Sequence, residues 1–246
     1  MMFRVENLHK TFGGLMAVNM VSFALERGEI SSIIGPNGAG KTTLFNLLTG
    51  HLKPNSGAVY FKDHEITHFS PHRITRSGIG RSFQKTNIFP RLTAFENIQV
   101  ALMAWKKKTR NIIEKADHFF QKETDEILGS LGLGDQKDRM AGLLAHGDQR
   151  LLEIGITLGT YPDLLLLDEP TAGMSPEESQ KTMELIQQIV RSKNLTLLFI
   201  EHDMNIVFGI SEKVRVMHFG SIIAEGTPQE IRANDQVQQI YLAEDE

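Results

Sequence analysis

Ile30-Ser31-Ser32-Ile33-Ile34-Gly35-Pro36-Asn37-Gly38-Ala39-Gly40-Lys41-Thr42-Thr43 is the stretch whose reading decides the fold. A short isoleucine-rich run breaks into a glycine-rich loop, and Lys41-Thr42-Thr43-Leu44-Phe45-Asn46-Leu47-Leu48 then reads as a helix. Gly35, Gly40, Lys41 and Thr42 satisfy G-x-x-x-x-G-K-[ST] in the strand–loop–helix setting that this pattern requires. Glycines let consecutive backbone N–H groups turn inward around an anion, and the helix N-terminus adds roughly half a positive charge. Asn37, Gly38, Ala39, Gly40, Lys41, Thr42 and Thr43 are therefore candidate phosphate-binding residues. Lys41 is expected to reach the β- and γ-phosphates, and the Thr42 hydroxyl to be a ligand for Mg²⁺. The stretch implies binding of a nucleoside triphosphate.

Composition narrows the remaining choices. The chain has 246 residues, enough for one large domain or a domain carrying a smaller lobe. A net charge of −4 argues against a basic nucleic-acid-binding face. Without cysteine, disulfides, zinc thiolate sites and thiol nucleophiles are excluded, as suits a reducing compartment. The longest purely aliphatic block is Leu164 to Leu167, far short of the roughly 20 residues that span a bilayer. A membrane role is expected to run through a partner.

Outward from the loop, the preceding residues read as strands. Phe3–Val5 and Val18–Phe23 are short apolar segments separated by a Gly13-Gly14 turn. Phe12, taken alone, reads as a core aromatic. Ala58–Phe61 and Gly78–Gln84 are further strands. His64, His68 and His72 recur at a spacing of four, but Pro71 breaks the helix that would align them for a metal. Thr93-Ala94-Phe95-Glu96 is a capping box opening a helix, and helical, charged sequence continues to Leu128. The basic run Lys106–Arg110 reads as a solvated helix end. Residues 85–159 are thus expected to form an all-helical lobe inserted into an α/β core made of residues 1–84 and 160–246.

Four consecutive leucines, Leu164–Leu167, suit a strand buried on both faces of a parallel sheet. Asp168 follows them where phosphate-loop proteins place the acid that holds Mg²⁺, and Glu169 is placed to orient or deprotonate a water. Ser175-Pro176-Glu177-Glu178 starts a helix, Leu195–Ile200 is a strand ending at Glu201-His202, and two further strands surround Gly220.

With these residues assembled, the chain resembles the ATP-binding cassette (ABC) family over nearly its full length. Gly35 to Thr42 matches its Walker A motif and Leu164 to Asp168 its Walker B motif. Glu169 falls on the catalytic glutamate, Gln84 on the Q-loop glutamine and His202 on the switch histidine. Leu144-Ala145-His146-Gly147-Asp148-Gln149-Arg150 falls on the signature motif, and Phe12 takes the place of the adenine-stacking aromatic. A GTPase or small-molecule kinase could share the phosphate loop, but an Asn-Lys-x-Asp guanine-reading element is absent.

The resemblance implies an α/β P-loop NTPase (RecA-like) core with an N-terminal antiparallel β subdomain and an inserted all-helical subdomain. It implies ATP and Mg²⁺ as ligands, with Thr42, Gln84 and Asp168 around the metal and Glu169, His202 and Gln84 as catalytic groups. Ala145, His146, Gly147 and Asp148 would meet the nucleotide of a second cassette in a head-to-tail dimer, homomeric or heteromeric. Two residues depart from the family pattern. Ala145 replaces the usual signature serine, with His146 as an added donor, and Ser175 replaces a common aspartate. Hydrolysis is expected to survive both.

Membrane permease subunits are the implied partners, docking on the helical lobe near Ile88, Phe89, Leu92, Phe95 and Trp105, with no nucleic acid involved. A solute-binding protein would act only indirectly, and the chain would sit peripherally on the cytoplasmic face of the membrane. Phe12-Gly13-Gly14-Leu15 and Ala172-Gly173-Met174-Ser175-Pro176 look like the branched-chain and hydrophobic amino-acid importer ATPases. Urea-importer and lipopolysaccharide-exporter ATPases are near alternatives. A weakly hydrolysing regulatory module is the alternative of another class.

Overall fold

The structure, a computed structural model, describes residues 1–82, 87–106 and 120–242. β1 (Phe3–Phe12) and β2 (Leu15–Leu25) form a hairpin closed by Gly13-Gly14, with Phe12 opposite Leu15. Both strands are longer than the apolar segments predict. Antiparallel pairing with one wet face accommodates polar residues such as Glu6 and Lys10 at alternate positions, so the apolar runs understate the strands. β3 (Ile30–Ile34) leads through the glycine loop into α1 (Lys41–Leu48). β4 (Ser56–Phe61) and β5 (His64–Glu65) complete an antiparallel sheet ordered β2-β1-β4-β5.

α2 (Pro71–Ser77) precedes β6 (Ile79–Arg81), which ends before Gln84; that residue lies outside the described ones. His64 falls in β5, His72 in α2 and His68 between them, so the three share no helix face. Among the described residues, the α-helices of the middle region are α3 (Ala94–Trp105), α4 (Gln121–Ser130) and α5 (His146–Leu158). At the start of α3 the capping box forms as its sequence predicts, with Thr93 and Glu96 each accepting from the other's backbone N–H. Of the basic run only Lys106 is described; it pairs with Glu123 at 2.8 Å and lies over the Phe120 ring.

β7 (Leu164–Asp168), α6 (Pro176–Ser192), β8 (Thr196–Ile200), α7 (Met204–Ile210), β9 (Lys213–His218), β10 (Ser221–Gly226), α8 (Pro228–Arg232) and α9 (Asp235–Leu242) follow. The second sheet is ordered β10-β9-β3-β8-β7-β6, parallel except for the β9–β10 pair. Every residue of β3, β7 and β8 is buried, as expected for strands covered on both faces.

Two apolar clusters flank this parallel sheet. One joins it to the antiparallel sheet and α1 through Phe3, Phe45, Phe61 and Leu166. The other joins it to α6 and to the middle helices through Leu165, Phe199, Ile98 and Leu152. The β2 and β10 edges meet where the Asn19 N–H donates to Gly220 O at 2.8 Å.

Candidate active site

Parallel neighbours end at the same edge of a sheet, and open α/β sheets bind ligands beyond the carboxyl ends of their strands. β3 runs directly into the glycine loop at that edge, and Asp168 pairs with Ile200 across β7 and β8. This register sets Glu169 beside Glu201-His202. On the other side of β7, Arg81 pairs with Leu166 and the Ser82 N–H donates to Leu166 O, so β6 ends beside the Asp168 end of β7.

Two glycines are dictated by the loop's path. Gly35 (φ 149°) and Gly40 (φ 100°) lie in backbone regions that side chains avoid. A Cβ would stand 2.1 Å from Met217 O at the first position and 2.2 Å from Ala17 O at the second. Gly40 forms the N-cap of α1, whose first residues are Lys41 and Thr42. The Lys41 ammonium is buried and donates to Gly35 O at 2.5 Å and Pro36 O at 2.9 Å, folding back over the loop.

The loop and helix residues 37–43 line a cleft of about 360 Å³, together with Phe12, Leu15, Met16, Ala17, Glu169 and His202, while Gly35 lies outside its lining. Phe12 is 47 % exposed on its rim. The reading of Phe12 as a core aromatic fails because the residue sits half exposed at the end of a hairpin strand, with the Lys10 ammonium 5.3 Å from its ring centroid.

Asp168 is 1 % exposed. Burial pushes its carboxyl above the ordinary range, Arg81 pulls it down and the neighbouring Glu169 pushes it up again. Its Oδ2 lies 3.4 Å from an Arg81 nitrogen, while its buried Oδ1 has no hydrogen-bond partner among the described residues. Glu169 holds a left-handed backbone (φ 51°), with its N–H donating to Ile200 O at 3.0 Å. Its Oε1 lies 3.0 Å from His202 Nε2, so the two side chains meet at the mouth of the cleft.

Ala145, His146, Gly147 and Asp148 do not line this cleft; Ala145 is the N-cap of α5 and the other three form its first turn. His146 Nε2 lies 3.0 Å from Ala172 O, so this nitrogen is engaged by the loop after β7 rather than held out as a donor to an anion. Asp148 Oδ2 accepts from Gln136 Nε2 at 2.9 Å. Two polar side chains at the site went unpredicted. Arg81 is a charge at the end of a buried strand, and its signal was that contradiction. Glu201 is buried beside His202 and accepts from both the Thr171 N–H and hydroxyl.

The ABC transporter family pattern matches residues 18–172. The chain belongs to the ABC transporter family. A second pattern, described as a branched-chain amino acid ATP-binding cassette transporter, matches residues 221–242. The high-affinity branched-chain amino acid transport ATP-binding protein LivG of Salmonella typhimurium is 41 % identical over 98 % of this chain and 97 % of its own length. The crystal structure of the ADP conformation of an ABC transporter's ATP-binding cassette superposes with a TM-score of 0.85 at 32 % identity, covering 98 % of both chains. A dimeric post-hydrolysis cassette bound to ADP and Pi superposes with a TM-score of 0.78 at 26 % identity, covering 92 % of this chain and 99 % of that one. The protein is accordingly an ABC-type ATPase with a P-loop NTPase fold and a nucleotide-binding site.

Proposed function

We propose that this ATPase is the ATP-hydrolysing subunit of an importer, powering uptake of branched-chain and other hydrophobic amino acids through separate membrane subunits. The full-length likeness to LivG carries the reading, and the branched-chain cassette pattern over residues 221–242 supports it.

Each side chain then has a role. Phe12 stacks on adenine, while the backbone of residues 37–43 surrounds the phosphates. Lys41 releases the Gly35 and Pro36 carbonyls and turns to the β- and γ-phosphates. The donor set suits Mg²⁺: Thr42 lines the cleft, Asp168 Oδ1 is buried without a partner among the described residues, and a hydroxyl and a carboxylate are both hard oxygen donors. Gln84, outside the described residues, is assigned to the metal and to the γ-phosphate surroundings from the family resemblance. Mg²⁺ supplies charge neutralisation on the phosphates. Glu169 takes the proton of the attacking water, and His202 holds that carboxylate while facing the γ-phosphate position.

One cassette has half of each site. Residues 145–148 lie outside their own chain's cleft, which favours a head-to-tail dimer, homomeric or with a second cassette, as does the dimeric state of the ADP–Pi neighbour. Residues 85–159 are the lobe that receives the permease, against the core formed by 1–84 and 160–246. Of the apolar residues expected there, Phe89 is exposed, whereas Ile88 and Phe95 pack against the core. No helix among the described residues is long and apolar enough to cross a membrane, in keeping with a peripheral subunit on the cytoplasmic face. A solute-binding protein delivers the amino acid on the opposite side.

The test uses Glu169→Gln. Light scattering is expected to show a dimer with magnesium-ATP and a monomer without it, and turnover in the full complex should fall roughly 10²–10⁴-fold. Cells lacking the protein should lose high-affinity uptake of labelled leucine. Unchanged uptake would remove the substrate class, while absent phosphate release from the parent complex would favour the regulatory module.

A further inference from the structure

We propose that Arg81 is a positioning residue for the metal step of hydrolysis, holding the Asp168 carboxylate so that one oxygen is tied down and the other is presented to Mg²⁺. This rests on the assignment of Asp168 as a metal ligand.

The arrangement begins with an oddity of sequence: a fully charged residue ends a short strand otherwise made of Ile79 and Gly80. Its side chain is only 7 % exposed. Burying a guanidinium is unfavourable unless its donors are engaged, and both terminal nitrogens of this one are. One terminal nitrogen donates to Asn46 Oδ1 at 2.7 Å and to Thr49 Oγ1 at 2.8 Å, both on the α1 side of the site. The other faces Asp168 Oδ2 at 3.4 Å. Behind the strand, Thr157 of α5 donates from its hydroxyl to the Arg81 carbonyl at 3.5 Å. Arg81 therefore joins the helix that carries Lys41 and Thr42, the strand that carries Asp168, and the helix that begins at His146.

What this does to Asp168 follows from its two oxygens. Oδ2 faces a fixed cation; Oδ1 is equally buried and has no partner among the described residues. Side chains that hold the outer oxygen of a ligating carboxylate set its orientation, and their loss typically weakens metal binding 10–100-fold. Without Arg81, Oδ2 would lose the cation that faces it and the carboxylate would be looser. Lysine at this position would keep a charge but not a planar fork able to serve α1 and Asp168 together.

The experiment compares the parent chain with Arg81→Met, Arg81→Lys and Asp168→Asn. Mn²⁺ binding is followed by electron paramagnetic resonance in the presence of a non-hydrolysable ATP analogue, and binding of the same analogue is measured in EDTA. Arg81→Met should weaken Mn²⁺ about tenfold or more and leave analogue affinity in EDTA within about twofold. Arg81→Lys should recover part of the loss, and decides the question if the methionine variant does not fold. The magnesium concentration giving half-maximal ATPase activity should rise in the same order. If Asp168→Asn loses Mn²⁺ while both Arg81 variants bind it like the parent, the proposal fails and the metal assignment stands. If Asp168→Asn also binds Mn²⁺ like the parent, the metal assignment fails and the proposal falls with it.

Discussion

Glu169 is held where a glutamate seldom rests. A left-handed backbone at a non-glycine residue costs on the order of 1–3 kcal/mol and persists only when its surroundings over-determine it. Here the hydrogen bond to Ile200 and the contact with His202 do so from the neighbouring strand. Glu201 stabilises the same corner in another way. Burial pushes its carboxyl above the ordinary range, against hydrogen bonds from the Thr171 hydroxyl and backbone and the His202 N–H that pull it down. A carboxyl raised in the folded state binds its proton more tightly there than in the unfolded chain. Its contribution to stability is therefore complete below the ordinary value of 4.5 and is lost as pH rises through the folded-state value. Glu201→Gln carries no such loss. Its melting temperature relative to the parent should rise as pH goes from about 5 to about 8, whatever the offset from the altered His202 hydrogen bond. Parallel melting curves across that range would show that the carboxyl is ionised throughout.

At the scale of elements, α6 shows how a departure from the family pattern can be neutral for folding. Ser175 caps it: its Oγ accepts from the Glu178 N–H at 3.3 Å, and Glu178 Oε2 accepts from the Ser175 N–H at 2.9 Å. Ser175→Ala should cost about 1 kcal/mol, read as a lower urea midpoint with an unchanged slope, whereas Ser175→Asp should retain most of the stability because aspartate also caps well. Equal losses in the two variants would mean that the serine acts through something other than the cap. Such caps are legible in sequence because donor and acceptor lie three residues apart, and the phosphate loop and the Leu164–Leu167 strand are legible for the same local reason. The strand lengths of the N-terminal hairpin were not, because alternation on a half-wet sheet breaks up apolar runs. Nor was the turning of His146 towards Ala172, or the placement of Arg81 against Asp168, since those pairs are 26 and 87 residues apart.

The molecule as a whole depends on how its two sheets are fastened, and Arg215 is the fastener. It lies between Val214 and Val216 in β9 and is completely buried. Its Nε donates to Glu225 of β10 at 2.9 Å, one terminal nitrogen to Ser31 of β3 at 2.9 Å, and the other to the Ala24 carbonyl of β2 at 2.7 Å. Glu29 approaches to 3.6 Å, and the guanidinium lies 4.9 Å from the Phe23 ring centroid. One side chain thus spans the parallel sheet, its antiparallel edge and the N-terminal hairpin. Removing one partner of a buried charge network is strongly destabilising, because the remaining polar groups stay buried without compensation. Arg215→Ala should therefore cost about 3–5 kcal/mol in urea unfolding. Glu225 is 35 % exposed and can regain water, so Glu225→Gln should cost far less, on the order of 1 kcal/mol. β9 also delivers Met217, whose carbonyl abuts Gly35 and so bounds the phosphate loop from behind. A loosened Arg215→Ala chain should bind ATP more weakly even under conditions where it remains folded, measured by calorimetry well below its unfolding midpoint. An Arg215→Ala protein with undiminished ATP affinity and a loss below about 1 kcal/mol would make Arg215 a passive occupant of the core rather than the tie between the sheets.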